Sequence, residues 1–377
     1  MSGVAVTGLG IVAPDPTEPA RDIPLDRVPP ETRSRIGRLD RLCRLFLSAS
    51  HAAVDDAGLR MPAEDGERVG VSFGTGLGCL LTNAEYYEKV LENGPGAASP
   101  RLFAYTVSSA AAGEVSIALG IKGANVTQHL GFAAGLGAVG YGADLVEAGR
   151  ADLVLAGGAD ALGPAITEGL ADMGLLKQRA QARPFVDSVP GVSPSEGAVV
   201  AVLEETRRAT QRSARIWANV AGYAAGFEPT LATAAPSPRG LVETMRRALS
   251  ASGVAPGDVD LVVASAHGTP ADAAERAAII EVLGSSPLVM TPKAIFGEAF
   301  AASALLGLAM AAGWGSADLG SGTWDVGPEE GWLHDLAGRT DAAAARGRMR
   351  AAEVVMVLGL CYSGNIVSLL FTRPRDH

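Results

Sequence analysis

Asn125–Val126–Thr127–Gln128–His129–Leu130–Gly131–Phe132–Ala133–Ala134–Gly135–Leu136–Gly137 is the stretch whose reading decides the fold. Val126–Leu130 reads as a short strand, Gly131 as the break after it, and Gly131–Ala148 as a Gly/Ala-rich helix. A side chain at such an elbow points into a cleft, and the unpaired N–H groups at the helix start, with the positive end of its dipole, point at the same place. That geometry raises the thiolate fraction of a cysteine. The residue in that position is Phe132, which has neither a proton to lose nor a lone pair to attack with. The helix carries Gly135, Gly137, Gly140 and Gly142. Each costs about 1 kcal/mol relative to alanine, so the helix requires burial between layers that need a close backbone approach.

Outward from this stretch, short β-branched runs alternate with Ala/Leu-rich amphipathic runs, the pattern of α/β layers. Strands are expected at Val4–Thr7, Val69–Phe73, Val126–Leu130, Leu153–Ala156 and Val199–Leu203. A second series is expected at Ile216–Val220, Leu261–Ser265, Val289–Thr291, Val354–Leu358 and Ile366–Phe371. Helices are expected at Asp40–Ala57, Gly131–Ala148, Pro238–Ala251, Asp272–Leu283 and Phe300–Ala311. Pro14–Pro30 reads as a surface excursion, and Gly315–Ala345, with Trp324 and Trp332, as loop.

The chain has 377 residues, 48% of them apolar, enough for a large core. No apolar stretch reaches bilayer length, and no basic-then-apolar leader opens the sequence, so no membrane span and no secretory signal are expected. Cys43, Cys79 and Cys361 are far apart, lack metal spacing and suggest a reducing cytoplasm; no metal site is expected. A net charge of −10 without Lys/Arg runs argues against a nucleic-acid partner.

Several short motifs resemble those of β-ketoacyl synthases of the thiolase superfamily, and they occur in that family's order. They are Val4–Gly10, Gly74–Gly78, Ala151–Asp160, Arg183–Pro184–Phe185, Ala266–His267–Gly268–Thr269 with Asp272 and Glu275, and Lys293–Ala294–Ile295–Phe296–Gly297–Glu298. The resemblance implies a thiolase fold: duplicated βαβαβαββ halves, residues 1–212 and 213–377, in a five-layered α/β/α/β/α arrangement. The glycine-rich turn Gly74–Gly78 lacks the Lys-Ser/Thr of a phosphate loop.

Departures from the family pattern are concentrated where its chemistry resides. Phe132 replaces the nucleophilic cysteine, Glu298 replaces the second histidine, and Leu360–Cys361–Tyr362–Ser363–Gly364–Asn365 replaces a Gly-Phe-Gly-Gly turn. Gly191–Gly197 replaces a Gly-Phe-(x)n-Gly-Glu-Gly segment, and the stretch between His267 and Asp272 is shorter than the family's. Two unit charges 4 Å apart at an effective dielectric of 20 interact by about 4 kcal/mol, so an unpaired Glu298 would repel a malonyl carboxylate. Pairing of Glu298 with Lys293, or with an arginine of a partner, is the other reading. His267 is expected to survive as a hydrogen-bonding relic. Asp272 and Glu275 read either as acids bracing the site or as first-turn acids of a helix.

This set of departures resembles the chain-length factor, the inactive ketosynthase-like subunit of type II polyketide synthases, which make aromatic or reduced polyene products. The resemblance implies no condensing activity from this chain alone, and a vestigial site of Phe132, His267, Glu298 and Lys293. It implies a heterodimer with a catalytic ketosynthase and an acyl carrier protein docking mainly on that partner. It places Phe103, Tyr105, Thr106, Ser109, Gln128 and His129 at a substrate tunnel and subunit interface, and calls for no cofactor. The alternative is a ketosynthase-like acyltransferase or decarboxylase working through His267 and Glu298 without a covalent cysteine intermediate.

Overall fold

Alternate residues of the inner strands face two different cores, and this sorts the molecule into layers. A computed structural model describes residues 3–13, 23, 28, 30–177, 185, 191–229, 237–313, 333–335 and 342–374. Most of Pro14–Pro30 and Gly315–Ala345, and Arg183–Pro184, lie outside the described residues. The first half runs β1 (Val4–Val12), α1 (Pro30–Ile36), α2 (Arg41–Asp56), β2 (Val69–Gly74), α3 (Leu80–Asn93), α4 (Pro100–Phe103), α5 (Ala110–Leu119), β3 (Asn125–Gln128), α6 (Ala134–Glu147), β4 (Leu153–Asp160), α7 (Pro164–Asp172) and β5 (Gly197–Glu205). Helix α8 (Thr206–Gln211) closes that half, and the second runs β6 (Ala218–Phe227), α9 (Arg239–Ser252), β7 (Leu261–Val263), α10 (Ala271–Leu283), β8 (Leu288–Met290), α11 (Lys293–Phe296), α12 (Ser303–Gly313), β9 (Leu333–Asp335), α13 (Ala342–Ala351), β10 (Val354–Leu360) and β11 (Asn365–Thr372).

The strands form one sheet in the order β3-β2-β4-β5-β1-β6-β11-β10-β7-β8-β9. Its halves meet where Val4–Val6 of β1 pairs with Ala218–Val220 of β6. Outward from that seam, β1-β5-β4-β2-β3 is mirrored by β6-β11-β10-β7-β8. The directions match too: the first two pairings of each half are antiparallel, the next two parallel. A duplication invisible in sequence is explicit in topology.

In β4, Val154 and Ala156 face a central core, while Leu153 and Leu155 face an outer core built on α2 and α5. In β7, Leu261 and Val263 face the same central core, and Val262 faces a second outer core built on α9 and α10. Helices α6 and α12 fill the middle. The result is the five-layered α/β/α/β/α arrangement. The glycines of α6 meet what their composition requires. A Cβ on Gly135 would lie 2.1 Å from the Ala301 carbonyl oxygen, and one on Gly140 would lie 2.5 Å from the Tyr223 ring.

The structure corrects three expectations. Gly315–Ala345 is not all loop: β9 pairs antiparallel with β8, and α13 begins at Ala342. A three-residue edge strand is too short to show alternation. Helix α6 starts at Ala134 rather than Gly131, because Gly131 has φ +56° and Leu130 and Phe132 form an isolated bridge before the helix begins. The strand before it ends at Gln128.

Candidate functional site

The elbow between β3 and α6 is set by Gly131, whose left-handed φ suits glycine. A Cβ there would lie 2.1 Å from Cys361 Sγ, so the turn after β10 closes directly over it. Phe132 is half-buried beside that turn. Its ring meets Phe300 edge-on at 4.9 Å and Tyr362 edge-on at 5.3 Å, with the His267 ring 6.3 Å away. Tyr362 lies 4.8 Å from His267, so two aromatic rings stand against the imidazole.

His267 follows β7, where the chain leaves the sheet between two acids of α10. Asp272 accepts from the backbone N–H groups of His267 (2.8 Å), Gly268 (3.0 Å) and Phe185 (2.9 Å). Glu275 accepts from Ser265 N at 2.7 Å. Both are in or near the first turn of α10, and both brace the histidine loop, so the two readings of these acids coincide. Burial pushes the Glu275 carboxyl up to about 8, and the nearby Asp272 charge adds to it.

Lys293, Phe296 and Glu298 come from α11 and the left-handed turn at Gly297 (φ +71°) that ends it. Glu298 is buried and fully partnered. Its Oε2 lies 2.7 Å from Lys293 Nζ and 2.7 Å from His267 Nδ1. Its Oε1 accepts from Phe300 N at 3.0 Å and Ser303 Oγ at 2.8 Å. Burial alone would push this carboxyl up; Lys293 and His267 outweigh burial and hold it down at about 2. The pairing reading of Glu298 is the one the geometry supports, and its charge is not left to face the pocket. On the other side of the imidazole, Nε2 lies 3.2 Å from Ser265 Oγ, which also accepts from Leu360 N at 3.1 Å. His267 therefore has both ring nitrogens engaged.

Sequence reasoning passed over Ser265, Ser303 and Asp160. Ser265 stands two residues before His267, at the end of a buried strand where a hydroxyl needs partners, and that was the available signal. Asp160, at the end of β4, accepts from Thr75 Oγ1 (2.6 Å), Gly76 N (2.9 Å), Leu77 N (2.8 Å) and Ala301 N (2.9 Å). Burial pushes its carboxyl up against these four partners. The N–H groups of Gly76 and Leu77 are thus spent on a carboxylate of the chain itself, consistent with a turn that is no phosphate loop. The hydroxyls of Ser195, Thr269 and Tyr362 are buried around the histidine loop and have no hydrogen-bond partner among the described residues. Also among the described residues, no cluster of His, Cys, Asp and Glu could hold a metal, and no helix is long and apolar enough to cross a membrane.

Phe132, His267, Lys293 and Glu298 are brought together. The expected tunnel and interface residues lie apart from them. Phe103 is 64% exposed, near Tyr86. Tyr105 packs against the outer core of the first half, with its hydroxyl 3.3 Å from Glu114. The Thr106 carbonyl accepts from Cys79 Sγ, and Ser109 is exposed. Gln128 ends β3, the edge strand of the sheet, with its side chain over α6; His129 is exposed beside Gly78.

A mirrored pair of β-strand sets around buried central helices, with a histidine loop and a lysine turn meeting at an elbow, defines a condensing-enzyme fold of the thiolase type. The β-ketoacyl synthase N-terminal domain family matches residues 26–209 and the C-terminal domain family residues 217–313. The chain belongs to the β-ketoacyl synthase family. A 3-oxoacyl-[acyl-carrier-protein] synthase 2 from Synechocystis sp. is 33% identical over 261 residues, 67% of this chain and 63% of that protein. Its counterpart from Staphylococcus aureus is 32% identical over 242 residues, 62% of this chain and 59% of that protein. The matches thus span under two thirds of these relatives' length. Among solved structures, a β-ketoacyl synthase from Burkholderia phymatum superposes with a TM-score of 0.81 at 22% identity, covering 100% of both chains. The ishigamide ketosynthase/chain length factor gives 0.78 at 24%, covering 99% of this chain and 100% of that one. A type II polyketide synthase acyl-carrier protein in complex with its ketosynthase bound to the hexaketide gives 0.80 at 23%, with the same coverage. At these identities the likeness is one of fold.

Proposed function

We propose that this chain is a non-condensing, chain-length-factor-type subunit that pairs with a catalytic ketosynthase and shapes the tunnel into which a polyketide grows. The observation that carries the reading is Phe132: an aromatic ring stands at the elbow where a nucleophilic thiol belongs, packed against Phe300 and Tyr362. Cysteine chemistry cannot start there. The engaged nitrogens of His267 weigh against the alternative of an acyltransferase or decarboxylase acting through His267 and Glu298. Two thiolase-like halves, residues 1–212 and 213–377, act as one unit in this reading. Edge strand β3 pairs across the subunit interface, which removes an open edge. The partner supplies the cysteine and two histidines, and the acyl carrier protein docks mainly on it, since carrier proteins are acidic and this chain has a net charge of −10.

The test is co-expression with a candidate ketosynthase and acyl carrier protein. Tyr105→Ala and Phe103→Ala should each leave the heterodimer intact and lengthen the product by at least one acyl unit. Assembly with unchanged product length in both variants would reduce this chain to a prop for its partner.

A further inference from the structure

Helix α3 turns an apolar stripe outward. Leu80, Ala84, Tyr87 and Leu91 recur at the spacing i, i+4, i+7, i+11, which lines one side of a helix. All four are exposed, Tyr87 by 60% and Leu91 by 83%. The opposite side anchors the helix. It holds Thr82, the one buried residue of α3, whose hydroxyl donates to Asp40 Oδ2 at 2.9 Å. Beside it stands Tyr86, whose ring meets Phe103 at 6.0 Å. A stripe of large apolar side chains normally faces a core. Phe103 and Val107, on α4 and just after it, are exposed as well. Five of the eleven exposed large hydrophobic side chains among the described residues thus fall within residues 80–107. A concentration of this kind marks an interaction surface.

The surface starts where the edge of the sheet ends. Cys79, just before α3, donates its thiol proton to the Thr106 carbonyl oxygen at 2.9 Å. A Cβ on Gly78 would lie 3.1 Å from His129 Cε1, next to the end of edge strand β3. One side of the stripe is acidic. Glu88 and Glu92 are exposed and have no ion-pair partner among the described residues, while the neighbouring Lys89 is engaged by Glu85 at 2.7 Å. An occupant that fits must offer apolar side chains to the stripe and lysine or arginine to this edge. A second copy of the chain fits poorly. Seated stripe on stripe about a twofold axis, it sets the same glutamates against each other, and it brings its own net charge of −10.

We propose that the Leu80–Tyr87–Leu91 face of α3 docks the catalytic ketosynthase through an apolar surface edged by lysine or arginine, and that Glu88 and Glu92 reserve the face for that partner against a second copy. The proposal rests on the heterodimer reading above and adds the chemistry by which the partner is chosen. Charge at the rim acts on encounter, whereas the apolar stripe acts on residence. The two sets of residues therefore leave different kinetic signatures.

The experiment measures association and dissociation rates of the full chain on an immobilised type II polyketide ketosynthase, at low salt and at about 0.5 M NaCl, where surface charges are screened. Glu88→Lys/Glu92→Lys should slow association about 10-fold at low salt and lose that deficit at high salt. Tyr87→Ala/Leu91→Ala should speed dissociation about 10-fold at both salts. The wild-type pair provides a readout that needs no variant: its association rate should fall as salt rises. A heterodimer whose rates are unchanged in both variants, or whose association is indifferent to salt, would overturn the proposal and leave the chain-length reading standing. A wild-type chain that binds no ketosynthase would overturn both. A dimer of the chain alone that Tyr87→Ala/Leu91→Ala dissolves would give the face to a second copy and contradict the role of the two glutamates.

Discussion

At position 132, replacing the phenylalanine ring restores a thiol but not the surroundings a thiol needs. His267 is held by Ser265 and Glu298, and Tyr362 stands against it, so neither imidazole nitrogen is presented to an acyl carbonyl. Phe132→Cys is therefore expected to give no measurable condensation with malonyl- and acyl-carrier protein; turnover near that of active synthases would show that Glu298 matters less than argued. Two buried glutamates set opposing pH responses. Glu298, held down at about 2, stabilises the fold above the ordinary carboxyl value of 4.5, and that stabilisation fades as pH falls from 4.5 towards 2. Glu275, pushed up to about 8, keeps a proton in the folded state that the unfolded chain has lost, so stability declines as pH rises from 4.5 to 8. Thermal melting of Glu275→Gln across that upper range should show a shallower decline than the wild type; identical slopes would place the proton elsewhere.

Helix α6 shows how far sequence carries an element. Its four glycines announced close packing, and the structure sets Gly135 against the Ala301 carbonyl oxygen, at 2.1 Å from a built Cβ. Backbone on backbone leaves no room to yield, so Gly135→Ala should destabilise the chain despite the higher helix propensity of alanine. Gly113, inside α5, has nothing within 4 Å of its built Cβ. Gly113→Ala should therefore stabilise by about 0.5–1 kcal/mol in denaturant titration. Opposite signs for the two variants support the packing argument, and equal signs contradict it. The long buried strands and α2, with Asp40 capping it through Cys43 N, were legible because burial on both faces and a polar cap leave marks in local sequence. Strand β9 was not, since three residues at a sheet edge carry no period. The start of α6 was misplaced because Gly131 signals a turn without saying how many residues the turn consumes.

For the whole molecule, the mirrored halves were legible only through motif resemblance. The two series of five strands anticipated the ten mirrored strands but not β9, and the seam at Val4–Val6 and Ala218–Val220 depends on pairing across more than 200 residues, which no local pattern records. The site was legible in part for the same reason. Phe132, His267, Lys293 and Glu298 stood out as departures from or matches to motifs, whereas Ser265 and Asp160 gain their roles only from what the fold brings to them. The central claim is that this chain carries no acyl group on a cysteine and depends on a partner that does. The most direct measurement incubates the chain, alone and with a co-expressed ketosynthase, with acyl-loaded carrier protein and maps acyl thioesters by peptide mass. The expected result is a thioester on the partner's nucleophile alone, with Cys43, Cys79 and Cys361 unmodified. A stoichiometric thioester on any of those three cysteines would contradict it.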